Sequence, residues 1–520
     1  MKKRKRSARK IRSKETKIVR VKSENNGGNR LRILTITLII AIQFSLLVYL
    51  YIELALAFKS YLVFSFVMSV LTCIYVLSTN KNSLSKAVWI IFLLLGFVFS
   101  YMIYFLSDEH IFFSRPKRRL SRIFRESEKY VPENNDSAAA DNCAEYLCRA
   151  GGFHSYTGTD TKYFPSGAQF FDDVLDELKK AKKFVFMEFF IISDGILMKR
   201  FLDIAEELAL RSVDIRIIYD DAGSHKTLSR PLLKRLRQMG IKLAPFNRLI
   251  PIFSVAMNYR DHRKIIVIDG KIAYTGGVNF SDEYINEKRM YGYWKDSGIK
   301  LEGPAADSFT LMFLRQWRYL CGCDGDFDKY FGHAEKKESS ALAVPFADGL
   351  DYNMPVSMGA YMNIISEAKE RLYIMTPYFI PGDSVNELII NKALSGVDVR
   401  LILPSIPDKK FVYSVTRNNA EKLLEYGVKV YCMKDSFVHS KLALNERAAI
   451  VGSANMDLRS FYQQFECGVY TTDRGVISLV YGDFLDTVSE CEKIDLKTRR
   501  RNSIFHRIFN GLMQLFAPFM

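Results

Sequence analysis

The stretch that decides the fold is DHRKIIVIDGKIAYTGGVN, residues 261–279, because a second version of it, VHSKLALNERAAIVGSAN, occupies residues 438–455. In each version a histidine and a lysine two residues apart open a short apolar run, and a Gly-rich turn followed by an asparagine closes it. Side chains two apart on a strand point to the same face. Each motif therefore puts an imidazole beside an ammonium, an arrangement of like charges that favours a bound anion.

The segments around the two motifs also repeat in order. VDIRIIY at residues 213–219 matches VDVRLIL at 397–403, and GIKLA at 240–244 matches GVKVY at 427–431. Apolar runs of β-branched and aromatic residues predict buried strands, and the spacing between them predicts helices. The sequence thus predicts an α/β fold built by internal duplication. We expect two mostly parallel sheets with helices packed on them.

The N-terminal part indicates contact with a membrane. Residues 1–32 hold fourteen Lys and Arg against two acids, and so carry most of the net charge of +17. Because the rest of the chain is only mildly basic, a nucleic-acid partner is not favoured, whereas an anionic membrane surface suits the tail. Three uncharged stretches follow at residues 33–52, 60–80 and 87–107, each long enough to cross a core of about 30 Å. A solvated tail and buried soluble helices are the alternatives.

The orientation in the membrane follows from basic residues on both sides of these stretches. The positive-inside rule puts both flanks in the cytoplasm, which requires an even number of crossings. Three stretches do not give an even number, so either one is interfacial or re-entrant or the rule is broken here. We predict a multi-pass protein of the cell membrane whose catalytic region is cytoplasmic.

Composition divides the chain into six predicted segments. They are a polybasic tail (1–32), a transmembrane region (33–108), a polar linker (109–160), a first catalytic half (161–335), a second catalytic half (336–490) and a basic amphipathic C-terminal helix (491–520). The last is predicted to lie at a bilayer surface, with packing on the catalytic core as the alternative. The eight cysteines form no C-x2-C pair, so we expect reduced thiols and no structural zinc.

The H-x-K-x4-D motif followed by GGxN or GSxN resembles the phospholipase D superfamily. The similarity to bacterial cardiolipin synthases extends beyond the motifs and runs from about residue 33 to the C-terminus. It is carried by NYRDHRKIIVIDGKIAYTGGVNFSDEYIN (258–286), YWKDSGIKLEGPA (293–305), VGSANMDLRSF (451–461) and KAVWIIFLLLGF (86–97). The resemblance implies a duplicated phospholipase D-type fold with pseudo-twofold symmetry.

The resemblance also implies an activity, the transfer of a phosphatidyl group from one phosphatidylglycerol to another, which gives cardiolipin and glycerol without a metal or cofactor. His262 is predicted to attack phosphorus and His439 to act as general acid and base, with the reverse assignment open. Lys264 and Lys441 would stabilise the negative charge on the phosphate oxygens. The other implied site residues are the neutral donors to the substrate phosphate, Asn279, Ser453 and Asn455, the histidine-orienting acids Asp296 and Glu466, and the motif acids Asp269 and Glu446.

The second motif departs from the pattern, since Glu446 stands where the first has Asp269 and its hairpin is one residue shorter. The resemblance implies that this acid is structural more than chemical, so activity should survive. The alternatives are another phosphatidyltransferase or a lipid hydrolase, which differ in the acceptor, and a degenerate member that binds anionic lipid without turnover. A nuclease of the superfamily is disfavoured, because the small ones lack membrane spans and carry one motif per chain.

Overall fold

The computed structural model describes residues 27–57, 59–79, 83–95, 100–107, 109–130, 141–249, 258–322, 327–352 and 354–495, together with Met513. Most of the predicted polybasic tail (1–32) and most of the predicted C-terminal helix (491–520) lie outside the described residues. Six helices precede the first sheet within the described part. They are α1 (Gly27–Ala57), α2 (Lys59–Ser78), α3 (Ser83–Leu95), α4 (Ser100–Ser107), α5 (Glu109–Ser127) and α6 (Asn142–Gly151).

The first half is a seven-stranded sheet with helices on it. Its strands are β1 (Asp160–Phe164), β2 (Phe184–Phe189), β3 (Asp214–Asp220), β4 (Lys242–Phe246), β6 (Lys264–Ile268), β7 (Ile272–Gly276) and β9 (Gly298–Glu302), in the order β1-β9-β7-β6-β2-β3-β4. Its helices are α7 (Gly167–Lys179), α8 (Ile196–Leu210), α9 (Asp221–Ser224), α10 (Arg230–Gln238) and α11 (Ala306–Cys321). Ser166 and Ser229 accept backbone N–H bonds at the starts of α7 and α10, which is why these helices begin there.

The second half repeats this sheet. Its strands are β10 (Ala343–Asp348), β11 (Arg371–Met375), β13 (Asp398–Pro404), β14 (Lys429–Met433), β16 (Leu442–Leu444), β17 (Ala449–Gly452), β19 (Gln464–Thr471) and β20 (Cys491–Lys493), in the order β10-β19-β17-β16-β11-β13-β14-β20. A separate short pair in this half joins β12 (Phe379–Ile380) to β18 (Met456–Asp457). The helices of the second half are α12 (Val356–Glu367), α13 (Asp383–Leu394), α14 (Lys410–Leu423), α15 (Leu458–Gln463) and α16 (Arg474–Ser489). The first seven strands match those of the first sheet position by position, as the internal duplication predicts.

Both sheets are mixed, so the prediction of mostly parallel sheets was wrong. Along the two strand orders given above, the parallel neighbours are β2-β3-β4 and β11-β13-β14. The pairs β2–β6, β6–β7, β7–β9 and β1–β9, like their counterparts, are antiparallel. For β6 and β7 the cause is the length of the connection. Three residues join β6 to β7, and such a short loop can only reverse the chain, whereas a parallel pair needs a long crossover.

Short strands join one half to the other reciprocally. β5 (Arg260–Asp261) of the first half pairs with β19, and β15 (Ser436–Val438) of the second half pairs with β8 (Tyr293–Lys295). Such reciprocity is what a two-fold related pair of units requires. A shared apolar core of buried residues from both halves, including Phe186, Ile265, Val344 and Val469, fills the space between the sheets.

The described helices of the N-terminal region support only part of the membrane prediction. One helix, Ser60–Ser78, is long and apolar enough to cross a membrane by length and composition within the described residues. Within the stretch at residues 87–107, the described helices α3 and α4 are each shorter than the roughly 20 residues a crossing needs, and residues 96–99 between them are not described. The number of crossings therefore stays a prediction.

The predicted linker is largely helical. Leu120 and Ile123 on α5 and Leu147 on α6 are buried in the core, and the Arg315 guanidinium of α11 lies 3.8 Å from the Phe124 ring centroid. The low periodicity of this segment concealed these contacts. At the other end, the first residues of the predicted C-terminal helix instead form β20, which pairs with β14.

Candidate active site

The two H-x-K motifs occupy matching positions in the two sheets. His262 lies just before β6 and His439 just before β16, and each imidazole is buried to 7% exposure. Lys264 and Lys441 are buried more deeply, and each ammonium donates a hydrogen bond to the carbonyl of its own motif histidine. Each half thus contributes one imidazole and one ammonium to the same buried region.

The histidine–acid pairs are crossed between the halves. His262 Nδ1 lies 2.9 Å from Glu466 Oε1, and His439 Nδ1 lies 2.7 Å from Asp296 Oδ2. Each acid follows the histidine of its own half in sequence but holds the histidine of the other half. Because Nδ1 is engaged in both rings, Nε2 is the nitrogen left for a substrate. Neither half contains a complete histidine–acid pair by itself.

The backbone holds the crossed pairs in register. The N–H of His262 donates to the Phe465 carbonyl at 2.9 Å, and the N–H of His439 donates to the Lys295 carbonyl at 2.7 Å. Phe465 and Lys295 directly precede the two acids, so each acid is tied to its histidine through both the main chain and the side chain. These two hydrogen bonds, one from the backbone and one from the side chain, fix the orientation of each imidazole.

His262 and Glu466 form the less charged of the two pairs. Burial, and next the positive charges of Lys264 and Lys441, hold the pKa of His262 well below its usual range. Burial likewise raises the pKa of Glu466 well above its usual range. A neutral imidazole has a free lone pair on Nε2, which is the state that a nucleophile requires.

His439 and Asp296 form the more charged pair. Burial would raise the pKa of Asp296, but His439, Lys441 and the Ser297 N–H hold it below its usual range. Burial, then Lys441, lower the pKa of His439 to about 4, and Asp296 opposes that shift. An ionised carboxylate on Nδ1 favours the imidazolium form. His439 is therefore better placed than His262 to carry a proton once an anion binds.

The two lysines make the region attractive to an anion. Burial lowers the pKa of Lys264 to about 8 and that of Lys441 to about 7, against the attraction of Glu466 and Asp296. Lys441 also lowers the pKa of His262, and Lys264 that of His439. The four groups are thus within electrostatic range of one another. An anion placed among them would raise all four pKa values, because it stabilises the charged forms.

The turn after β7 and the turn after β17 make different contacts with the acids Asp296 and Glu466. Ser453 Oγ donates to Glu466 Oε2 at 2.5 Å, so its hydroxyl serves the acid, although we predicted a contact with substrate phosphate. The matching residue in the first half is Gly277, where a Cβ would lie 2.1 Å from Asp296 Oδ1 and 2.9 Å from the His439 carbonyl oxygen. Glycine is needed there because the Asp296 carboxylate and the His439 backbone together leave no room for a Cβ.

The two predicted asparagines are unequal. Asn279 Oδ1 accepts from the Ile191 N–H at 3.1 Å, and its Nδ2 donates to the Tyr284 hydroxyl at 2.7 Å. Asn455 is buried, and its Oδ1 has no hydrogen-bond partner among the described residues. Asn455 therefore keeps more hydrogen-bonding capacity for a ligand than Asn279.

The motif acids lie at the far ends of their strands from the lysines. Asp269 follows β6 and accepts the N–H groups of Lys182, Lys183 and Phe184 at 2.7–2.9 Å. Glu446 accepts those of Lys369, Glu370 and Arg371 at 3.0–3.5 Å. The two acids thus tie equivalent segments of the two sheets. Their contacts are with backbone rather than with the imidazoles, which gives the predicted structural role a physical basis.

Aromatic side chains around the histidines were not singled out in the sequence. The Phe190 ring centroid lies 5.1 Å from that of His262, and those of Tyr284 and Trp294 lie 5.4 Å and 5.2 Å from that of His439. Tyr284 stands in the stretch NFSDEYIN directly after the first motif. The sequence shows that Tyr284 lies close to Asn279 along the chain, but only the structure shows the hydrogen bond between them.

Comparison with known proteins identifies related chains over most of this length. A family model described as a cardiolipin synthase, PLD-like domain, matches residues 174–296 and 361–487. Cardiolipin synthase 2 of Bacillus anthracis is 34% identical over 375 residues, 72% of this chain and 73% of that protein. Cardiolipin synthase of Staphylococcus aureus is 32% identical over 368 residues, 70% and 74% of the two chains.

An uncharacterised protein of Streptococcus mutans matches a larger part of the chain, with 34% identity over 459 residues, 86% of this chain and 99% of that protein. Among solved structures, phosphatidylserine synthase of Haemophilus influenzae Rd KW20 aligns with a TM-score of 0.56 and 13% identity. That alignment covers 74% of this chain and 97% of the synthase. At this identity the likeness concerns the fold alone.

Proposed function

The chain belongs to the cardiolipin synthase family of the phospholipase D superfamily, and from that premise we propose that it transfers a phosphatidyl group between two phosphatidylglycerol molecules, giving cardiolipin and glycerol. The observation that carries the proposal is the crossed pair of histidines, one held neutral and one held beside an ionised acid, between two buried lysines. A phosphodiester has the single negative charge and the two oxygen-bearing sides that such a site would accept.

In the first step, His262 Nε2 attacks the phosphorus of the donor lipid. The new N–P bond forms as the P–O bond to the glycerol headgroup breaks, and His439 Nε2–H gives its proton to the departing glycerol oxygen. The low pKa of His262 supports its role as nucleophile. Asp296 supports the role of His439 as acid, because its carboxylate stabilises the imidazolium.

In the second step, a headgroup hydroxyl of a second phosphatidylglycerol attacks the phosphatidyl-histidine. His439, now neutral, takes the hydroxyl proton, the P–O bond of cardiolipin forms and the N–P bond to His262 breaks. Both histidines return to their starting states. Lys264 and Lys441 stabilise the charge that builds on the nonbridging oxygens in each step. No step requires a metal or cofactor.

The membrane assignment is part of the proposal. We infer that residues 33–108 anchor the chain in the cell membrane with the catalytic halves, residues 161–335 and 336–490, on the cytoplasmic side. The apolar helix Ser60–Ser78 supports an anchor. The exposed basic side chains of α5 support an anionic surface beside it; they are Arg115, Lys117, Arg118, Arg119, Arg122 and Arg125.

The direct test supplies the purified protein in detergent with phosphatidylglycerol labelled in its glycerol headgroup, with EDTA present throughout. We expect labelled cardiolipin and free labelled glycerol in equal amounts. Phosphatidic acid with glycerol and no cardiolipin would identify a lipid hydrolase instead. The absence of any product would favour a lipid-binding protein, and full turnover by His262→Ala would contradict the mechanism.

A further inference from the structure

The strongest unused feature of the active site is the Tyr284 hydroxyl. The residue is 4% exposed, and its oxygen accepts a hydrogen bond from Asn279 Nδ2 at 2.7 Å. Among the described residues the hydroxyl donates its own proton to no acceptor. Buried hydroxyl groups normally use both functions, because an unused donor loses its hydration without compensation. The missing partner is therefore expected from a ligand.

The hydroxyl belongs to a hydrogen-bond chain that crosses one wall of the site. The chain begins at the Ile191 N–H, which donates to Asn279 Oδ1 at 3.1 Å. Ile191 directly follows Phe190, whose ring lies against His262. At the other end, the Tyr284 ring meets the His439 ring edge-to-face with centroids 5.4 Å apart. The ring that carries the unused O–H thus contacts His439 at this end of the wall.

The opposite half of the site lacks this group. Asn455 corresponds to Asn279, and the residue five positions further on is Ser460 rather than tyrosine. The Ser460 hydroxyl donates to Gln464 Oε1 at 3.2 Å. A phenol with a spare proton therefore stands on only one side of the described site. Under the proposed function, this is the side on which the alcohol leaves and arrives.

We propose that Tyr284 recognises the alcohol headgroup by donating a hydrogen bond to a hydroxyl of its glycerol. This inference rests on the proposed function, because it takes the alcohol to lie beside His439. Glycerol has hydroxyl groups in addition to the one that reacts, whereas a simple primary alcohol has none. Tyr284 is thus a determinant of preference for a polyol, held in position by Asn279.

The test measures the choice between two soluble acceptors. Wild-type protein in detergent receives phosphatidylglycerol with a labelled phosphatidyl group and unlabelled headgroup, plus isotopically heavy glycerol and 1-propanol at equal concentration. Mass spectrometry measures heavy phosphatidylglycerol against phosphatidylpropanol. We expect Tyr284→Phe to lower this ratio roughly ten-fold, the usual effect of one lost hydrogen bond in a buried site. Phenylalanine keeps the ring contacts with Trp294 and His439.

The matched control is Tyr274→Phe, which removes another buried phenol whose hydroxyl donates to Asp173 and touches neither histidine. Its acceptor ratio should equal that of the wild type, and thermal unfolding should show that both variants are folded. An unchanged ratio in Tyr284→Phe, or an equal fall in both products, would overturn the inference. A wild type that makes phosphatidic acid but transfers to neither alcohol would instead contradict the proposed function.

Discussion

The two half-sites share a fold and a motif but differ in the charge of their acids. Glu466, which holds His262, is hydrogen-bonded by the Ser453 hydroxyl, and burial raises its pKa. Asp296, which holds His439, faces Gly277 and keeps a lowered pKa. The duplication thus supplied two similar frames that differ at a few residues around each acid, and this difference fits the proposed roles of His262 as nucleophile and His439 as general acid and base.

The charged side chains that pack next to the two histidine–acid pairs also differ. Beneath the His262–Glu466 pair, the Arg263 guanidinium lies 5.2 Å from the Phe465 ring centroid and 2.8 Å from Glu188. Beneath the His439–Asp296 pair, Ser440 stands in the place of Arg263, and Lys295, the counterpart of Phe465, forms an ion pair with Asp483 at 2.5 Å. Equivalent strands are thus held by different ion pairs. The two histidines therefore need not have the same chemical role.

The largest expected effect is on the rates of the two histidine variants, which should respond differently to a leaving group that needs no proton. With phosphatidylglycerol, His439→Ala should lose about 10³-fold in rate, within the usual range for general acid–base catalysis. With a 4-nitrophenyl phosphodiester lipid, the departing oxygen needs no proton, so this variant should still show a burst of nitrophenol. His262→Ala should show no burst with either substrate. Stopped-flow absorbance measures the burst, and a burst from His262→Ala alone would reverse the assignment.

A smaller effect is expected where the turns meet the acids. Gly277→Ala puts a methyl group against Asp296 and the His439 carbonyl, and should lower kcat about 10²-fold, as a displacement of about 1 Å can. Ser453→Ala removes one hydrogen bond to Glu466 and leaves the pair in place, so a loss of about ten-fold is expected. Steady-state rates of folded protein test this order. Equal losses of kcat in the two variants would mean that the two turns contribute equally to catalysis.

The pH dependence should reveal the lysines. Burial lowers the pKa of Lys441 to about 7 and that of Lys264 to about 8. The fall in kcat/KM that begins when His439, with a pKa of about 4, loses its proton should therefore steepen into a basic limb as pH rises through this range and the ammonium charges are lost. Lys441→Arg should move the basic limb upward by about one unit or more, since arginine keeps its charge. The acidic limb should lie well below pH 6.5, because His262 has a lowered pKa. A basic limb that does not move would exclude Lys441 as its origin.

The smallest effect concerns the motif acids. Asp269 accepts shorter backbone hydrogen bonds than Glu446 and has a positive φ of 53°, which alanine adopts poorly. Asp269→Ala should therefore lower the free energy of unfolding by about 2–3 kcal/mol, and Glu446→Ala by about 1 kcal/mol. Denaturant titration measures both values. Specific activity of the folded variants should stay within about two-fold of wild type, and a larger loss would give these acids a chemical role.

The sequence predicted the duplication and the position of both motifs, because strand patterns and residue spacing are local properties. It did not reveal that Asp296 and Glu466 serve the histidine of the other half, since exchange between halves is a tertiary contact. The prediction of mostly parallel sheets was wrong because it did not take account of the short loops between β6 and β7 and between β16 and β17, which reverse the chain. Helix α5 and the Tyr284 hydroxyl escaped notice because burial and hydrogen bonding, rather than composition, define them.

The most direct test of the division of labour is to trap the covalent intermediate. Wild-type protein would be mixed with phosphatidylglycerol, quenched rapidly at alkaline pH, where phosphohistidine is retained, and digested for mass spectrometry. We expect a phosphatidyl adduct on the peptide containing His262 and none on the peptide containing His439. We also expect the adduct to accumulate when His439→Ala is given the 4-nitrophenyl substrate. An adduct on His439, or turnover with no adduct on either histidine, would contradict the proposed roles of the two histidines.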